Sequence, residues 1–208
     1  MLDARAVGIV ASAAIISDFM IIASRIGMME SIQRLESNPR VESAAFWFTA
    51  LTGSAASIFV LLASFLVRSW GNAPEVANVL VIMSAIPVLA AVTAIPEGII
   101  RRSLNFRALT FRTWVATLIG AGVAIAMVQR GFGLYALAGQ RVTSAFCSMI
   151  LIWAQAQWRP HFRPAIAPAY EVIRTGSMIL VGSFSGLINQ HIADSITAIF
   201  LEIGRAHV

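Results

Sequence analysis

Three charged residues, Asp18, Arg25 and Arg141, stand inside long apolar stretches, and they are where this chain could do chemistry. A charge at the centre of a membrane helix costs about 2.5–3.5 kcal/mol on insertion scales, so such residues pair with one another or serve a ligand. Arg141 lies about eight residues into its apolar segment, roughly 12 Å along a helix at 1.5 Å per residue, too deep to reach either surface easily. Its guanidinium is permanently charged and can donate paired hydrogen bonds to phosphate oxygens, which makes it a candidate for holding an anionic headgroup. The alternative is a salt bridge to Asp18 or to another carboxylate. Arg25 is a second headgroup candidate, but it sits nearer a helix end, where snorkelling to the interface is the structural reading.

Catalytic chemistry has little to stand on. No nucleophile elbow, phosphate loop or paired-carboxylate motif is present, so no catalytic residue and no enzyme activity are expected. Cys147 is the single cysteine and falls within a span, which points to a buried packing thiol. His161, His191 and His207 lack metal-ligand spacing, so neither a metal site nor a cofactor is expected. Gly120 and Gly122 imitate half of a nucleotide-binding fingerprint, yet they lie mid-span, where close helix packing explains them better.

The elements that must position these residues are transmembrane helices. Of the 208 residues 58% are hydrophobic and 12% charged, against about 25% charged for an ordinary soluble domain. Windows of about 20 residues, the length a bilayer needs, place spans near 7–27, 44–67, 77–95, 113–129, 133–156 and 173–192. They are apolar on nearly every face rather than alternating, and a backbone in lipid must satisfy its own hydrogen bonds, so the expected fold is an all-α polytopic bundle. Pro87 should loosen the third span. Gly182 and Gly186 give the sixth a close-packing face.

Charge on the connections sets the topology. Arg34, Arg40, Arg101, Arg102, Arg107, Arg112, Arg159 and Arg163 lie on one set of connections, and only Arg5, Arg68 and Arg130 on the other. The positive-inside rule puts the first set in the cytoplasm and the N-terminus of the chain outside, which in turn suggests a helix upstream. Within 97–112, apolar residues interleave with Arg101, Arg102, Arg107 and Arg112, a pattern that suits a helix lying at the cytoplasmic interface with Glu97 in its first turn. All 15 basic residues are arginine and the net charge is +5. Membrane lipids and topology account for that charge, and no nucleic-acid partner is expected.

Several stretches beside the spans carry a resemblance. IGMMESIQR at 26–34, PEGIIRRSLNFRAL at 96–109, GFGLYALAGQ at 131–140 and WRPHFRP at 158–164 come in an order and spacing that resembles the Wzx-type flippases. These are polysaccharide-biosynthesis transporters of the multidrug/oligosaccharidyl-lipid/polysaccharide exporter superfamily. The resemblance covers roughly 3–201 and implies a MATE-like fold of two lobes, of which this chain resembles helices two to seven. Residues 1–160 would form most of the first lobe, and 161–201 a loop and the first helix of the second. Relatives commonly have an acid just before the glycine matching Gly27, where this chain has Arg25 two residues ahead. Asp194 matches an aspartate that often follows a break in the seventh helix.

The activity so implied is export: polyprenyl-pyrophosphate-linked oligosaccharide flipped across the bacterial inner membrane, with polymerase and chain-length machinery as candidate partners. A drug/cation antiporter of the same superfamily is the alternative, disfavoured because cationic substrates call for carboxylates and aromatics. A non-transporting scaffold is a third reading. Residues 202–208 read EIGRAHV, the peptide that a common sequencing adapter encodes in one frame, and are expected to be non-native, with the gene continuing beyond them.

Overall fold

The computed structural model describes residues 4–25, 27–34, 37–70 and 74–161, and these form an all-α bundle. Its helices are α1 (Ala4–Arg25), α2 (Met28–Arg34), α3 (Pro39–Trp70), α4 (Pro74–Met83), α5 (Ala85–Arg102), α6 (Phe106–Gln129) and α7 (Tyr135–Gln155). Among the described residues five segments are long and apolar enough to cross a membrane: Gly8–Arg25, Pro39–Ser69, Pro74–Arg102, Phe106–Gln129 and Tyr135–Gln155. They match the first five expected spans. The sixth, at 173–192, and the glycines Gly182 and Gly186 lie outside the described residues.

The helices run further into the charged connections than hydropathy indicates. α3 begins at Pro39 rather than near 44, because the Asn38 side chain accepts the Arg40 N–H at 3.1 Å while proline occupies the first helical position, where its missing donor costs nothing. α5 continues to Arg102 and α6 starts at Phe106. The segment 97–112 is therefore not one interfacial helix. It consists of two helix ends joined by a turn at 103–105, in which Leu104 takes the left-handed conformation at φ 56° and the Asn105 side chain accepts the Ala108 N–H. Glutamate and arginine are good helix formers, so they extend a span that hydropathy alone would end.

Pro87 loosens the third span as expected, and the break falls one turn earlier, at Ser84 between α4 and α5. A proline ring clashes with the carbonyl four residues before it. The Val88 N–H, in the turn that Pro87 loosens, donates to Ser57 Oγ at 3.0 Å, so α3 supplies an acceptor there. A similar exchange ends α1, where Thr52 Oγ1 of α3 donates to the Ser24 carbonyl at 2.7 Å.

The α4–α5 span forms the centre, with 61% of it buried against 11% for α6. α5 packs on α1, α2, α3 and α7. One apolar core joins α1, α3, α4 and α7 through Val10, Ala13, Val60, Leu80, Met83 and Ala138. A second, at the arginine-bearing end, packs Met28, Ile32, Phe46 and Ile95 against Trp153 and Trp158. Small residues set the helix spacing where apolar attraction between helices cannot. A side chain on Gly53 would collide with Ala91 of α5, and one on Gly120 would collide with Ser144 of α7. Gly122 differs from the expectation of close packing, since nothing lies near it.

Replacing Gly53 by leucine should therefore force α3 away from α5, whereas Gly122→Ala meets open space. We expect Gly53→Leu to destabilise the solubilised protein by about 2 kcal/mol or more. Gly122→Ala should be neutral or stabilise by up to about 1 kcal/mol through helix propensity. Thermal unfolding in detergent measures both.

Candidate functional site

Two ionic centres stand between the helices. The first is formed by Asp18 of α1 and Arg141 of α7, whose guanidinium Nη1 donates to the two carboxylate oxygens at 3.2 and 3.3 Å. Both side chains remain about half exposed, at 53% for Asp18 and 44% for Arg141. Arg141 also lines a cavity of 530 Å³ walled by Val10, Ala14, Ile86, Thr117, Gln140 and Ser144. Of the two alternatives for Arg141, the salt bridge to Asp18 is present, and the same side chain also borders this cavity.

The second centre gathers around Glu97, which is 3% exposed. It is neither a cap nor at a helix start. It lies inside α5, where its Oε1 accepts from Arg101 Nε at 3.1 Å and Nη2 at 2.7 Å, and its Oε2 accepts from Arg112 Nη1 of α6 at 3.0 Å. Arg25 of α1 approaches the same oxygen at 3.7 Å and the Ala90 carbonyl at 3.4 Å. Arg25 therefore turns inward to an acid rather than snorkelling outward. A cavity of 270 Å³ adjoins this cluster, lined by Arg25, Glu97, Arg112, Thr93, Ser148 and neighbouring apolar residues.

Beside it Glu42 of α3, 2% exposed, accepts from Arg102 Nη2 at 2.7 Å and from Ser37 Oγ at 3.2 Å. Arg102 also donates to the Ile32 carbonyl of α2. Of the arginines assigned to the interface, Arg101, Arg102 and Arg112 are thus bound into ion pairs, while Arg107 is exposed on the first turn of α6. Asp194, His191 and His207 lie outside the described residues. Cys147 is half-buried rather than fully packed. His161 is fixed by Ser43, whose hydroxyl accepts its backbone N–H at 3.0 Å, while its carbonyl accepts Trp47 Nε1–H at 2.9 Å. Among the described residues no three His, Cys, Asp or Glu side chains converge as a metal site requires.

The two cavities are lined by the same four helices, α1, α5, α6 and α7. On α7 the lining positions run 137, 140, 141 and 144, then 145 and 148; on α5 they run 86, then 89, 90, 93 and 97. These steps of three and four follow one helix face. Arg141 and Ser148 stand about 10 Å apart along α7 at 1.5 Å per residue. The Glu97 cluster and the Asp18–Arg141 pair thus border successive cavities along the same faces of α5 and α7.

Sequence reasoning missed Glu97 and Glu42 as structural acids. The spacing of Glu97 and Arg101, four apart in a helical segment, was a readable signal for an ion pair. Nothing local links Glu42 to Arg102, which are brought together only when α3 packs on α5.

A helical bundle with five membrane-spanning segments and ionic groups held between its helices is a multi-pass membrane protein. The chain belongs to the polysaccharide biosynthesis protein family, whose model matches residues 1–204. It is also 24% identical over 193 residues to the succinoglycan biosynthesis transport protein ExoT of Rhizobium meliloti (strain 1021), a match that covers 91% of this chain and 37% of that protein. The chain accordingly spans about two fifths of the length of this curated relative. No solved structure matches it.

The buried Glu42 makes a direct test of the ion pairs. Glu42→Gln leaves Arg102 short of its counter-charge, and we expect a loss of about 3 kcal/mol in unfolding free energy, the usual cost of breaking a buried pair. The half-exposed Asp18–Arg141 pair should show a coupling of only about 0.5–1 kcal/mol in a double-mutant cycle.

Proposed function

We propose that this protein takes part in exporting polysaccharide precursors by flipping lipid-linked oligosaccharide across the bacterial inner membrane. The reading rests on one observation above the rest: in a polysaccharide biosynthesis protein, Arg141 lines a cavity within a membrane-spanning bundle and is paired with a half-exposed carboxylate. A polyprenyl-pyrophosphate carries its negative charge at the junction between lipid and sugar. Arginine can meet that group with two parallel hydrogen bonds, which a lysine cannot reproduce. Asp18 would keep Arg141 neutralised while the cavity is empty and give way when phosphate arrives.

In this reading the sugar and pyrophosphate occupy the groove between α1, α5, α6 and α7, the polyprenyl tail remains in lipid, and the arginine-bearing end faces the cytoplasm. The described bundle supplies most of one lobe, and a second lobe rocks against it to alternate access. Transport by this route makes and breaks no covalent bond. The relative's printed role as a succinoglycan biosynthesis transport protein supports the same class of cargo.

Arg141→Ala should leave membrane insertion intact and reduce polysaccharide export at least about tenfold, since losing charge-assisted hydrogen bonds costs about 1.5–3 kcal/mol. Arg141→Lys should restore little of it. Export measured in a deletion strain complemented with each variant tests the role. Normal export by the alanine variant, with the protein present in the membrane, removes Arg141 from the substrate path.

A further inference from the structure

Among the described residues, the Glu97 cluster carries more positive than negative charge. Arg25, Arg101 and Arg112 surround a single carboxylate. Glu30 of α2 also acts on Arg25 but does not line the cavity. Even with Glu30 counted, one positive charge is left over, and with Glu97 alone there are two. Excess charge held between membrane helices is costly unless a counter-ion joins it.

The hydrogen bonding is short in the same sense. The Nε–H groups of Arg25 and Arg112 are both buried and have no acceptor among the described residues. The contacts of Arg25 to Glu97 and Ala90, at 3.7 and 3.4 Å, are long for charge-assisted bonds, which close to about 2.7–2.9 Å when well made. Two guanidinium groups are therefore incompletely satisfied on the wall of one cavity, which also carries Thr93 and Ser148. Its 270 Å³ suit a phosphate-sized group and not a sugar chain.

We propose that Arg25 and Arg112, with Glu97 holding them in position, form a second anion site that takes a phosphate group, separate from the Arg141 cavity and lying toward the arginine-bearing end. The proposal rests on charge and unpartnered donors rather than on the transport reading, and it holds or fails without it. The phosphate can be that of a lipid headgroup or a free ion, since both present the same oxygens. Small turns of the two side chains would bring each Nε–H and Nη–H pair onto those oxygens, the fork geometry in which arginine binds phosphate best.

The test is a titration of the complete protein in phosphatidylcholine nanodiscs, followed by thermal unfolding. One arm adds inorganic phosphate and pyrophosphate to the solution, with chloride as the control at equal ionic strength. The other replaces part of the lipid with polyprenyl phosphate. We expect stabilisation by phosphate over chloride in at least one arm, and the arm that responds names the source. Arg112→Gln and Arg25→Gln should each weaken the apparent affinity about tenfold, whereas Arg68→Gln, exposed in the last turn of α3 and outside both cavities, should leave it unchanged.

Glu97→Gln separates this site from a purely structural cluster. Removing the competing carboxylate frees guanidinium donors, so the variant should bind phosphate several-fold more tightly even as its stability without phosphate falls. A structural cluster would lose stability with no gain in binding. Equal titrations of Arg112→Gln and the parent, no tightening in Glu97→Gln, or no response to any probe in either arm would each overturn the proposal. Lost export in Arg141→Ala while the parent shows no phosphate response overturns this site alone; normal export in Arg141→Ala while the parent responds and Arg112→Gln weakens the response overturns the transport reading alone.

Discussion

Two carboxylates that have left water govern one end of this bundle. A buried acid costs several kcal/mol unless cations and hydrogen bonds meet it, and Glu97 and Glu42 are met by arginines from different helices. Glu97 draws α1 and α6 onto α5, and Glu42 draws α3 onto α5, with Arg102 reaching on to α2. The positions of five helices at that end thus depend on α5 presenting Glu97, Arg101 and Arg102 within little more than one turn. The aromatic group of Phe46, Trp153 and Trp158 closes over the same end, with edge-to-face ring contacts at 5.7 and 5.8 Å that pin the chain after α7 against α3.

Toward the middle of the bundle the same chemistry is looser. Asp18 and Arg141 are half exposed and joined by bonds of 3.2–3.3 Å. A pair of this kind is worth little and exchanges partners readily. The tight cluster at the base and the loose pair above it both lie on the faces of α5 and α7 that the two cavities border. On its α3 side, α5 packs closely through Gly53 against Ala91 and is tied by the Glu42–Arg102 pair.

Much of this was legible in the sequence. Long apolar segments identified the spans, because lipid admits only helices or closed barrels; Pro87 announced the break between α4 and α5; and two intramembrane charges of opposite sign, Asp18 and Arg141, found each other. What escaped notice was the continuation of helices through charged ends. Hydropathy treats Glu97, Arg101 and Arg102 as a loop, but their stems are compatible with a helix and their charges are satisfied by partners remote in sequence. Gly120 and Gly122 show the same limit at smaller scale: identical residues two apart point in different directions, so one meets α7 and the other meets open space.

The distribution of exposed groups also orients the bundle against its surroundings. Phe59, Leu62 and Phe65 of α3 and Trp114, Leu118 and Ile125 of α6 are exposed and wholly apolar, the surface that hydrocarbon accepts. Asp18 and Arg141 are exposed too, but half-bare charges at that depth cannot face lipid tails without a cost of several kcal/mol. The face that joins α1 to α7 therefore needs water or more protein against it, while the exposed side chains of α3 and α6 suit lipid. The ion pairs thus give the bundle unlike sides, a charged one between α1 and α7 and apolar ones on α3 and α6.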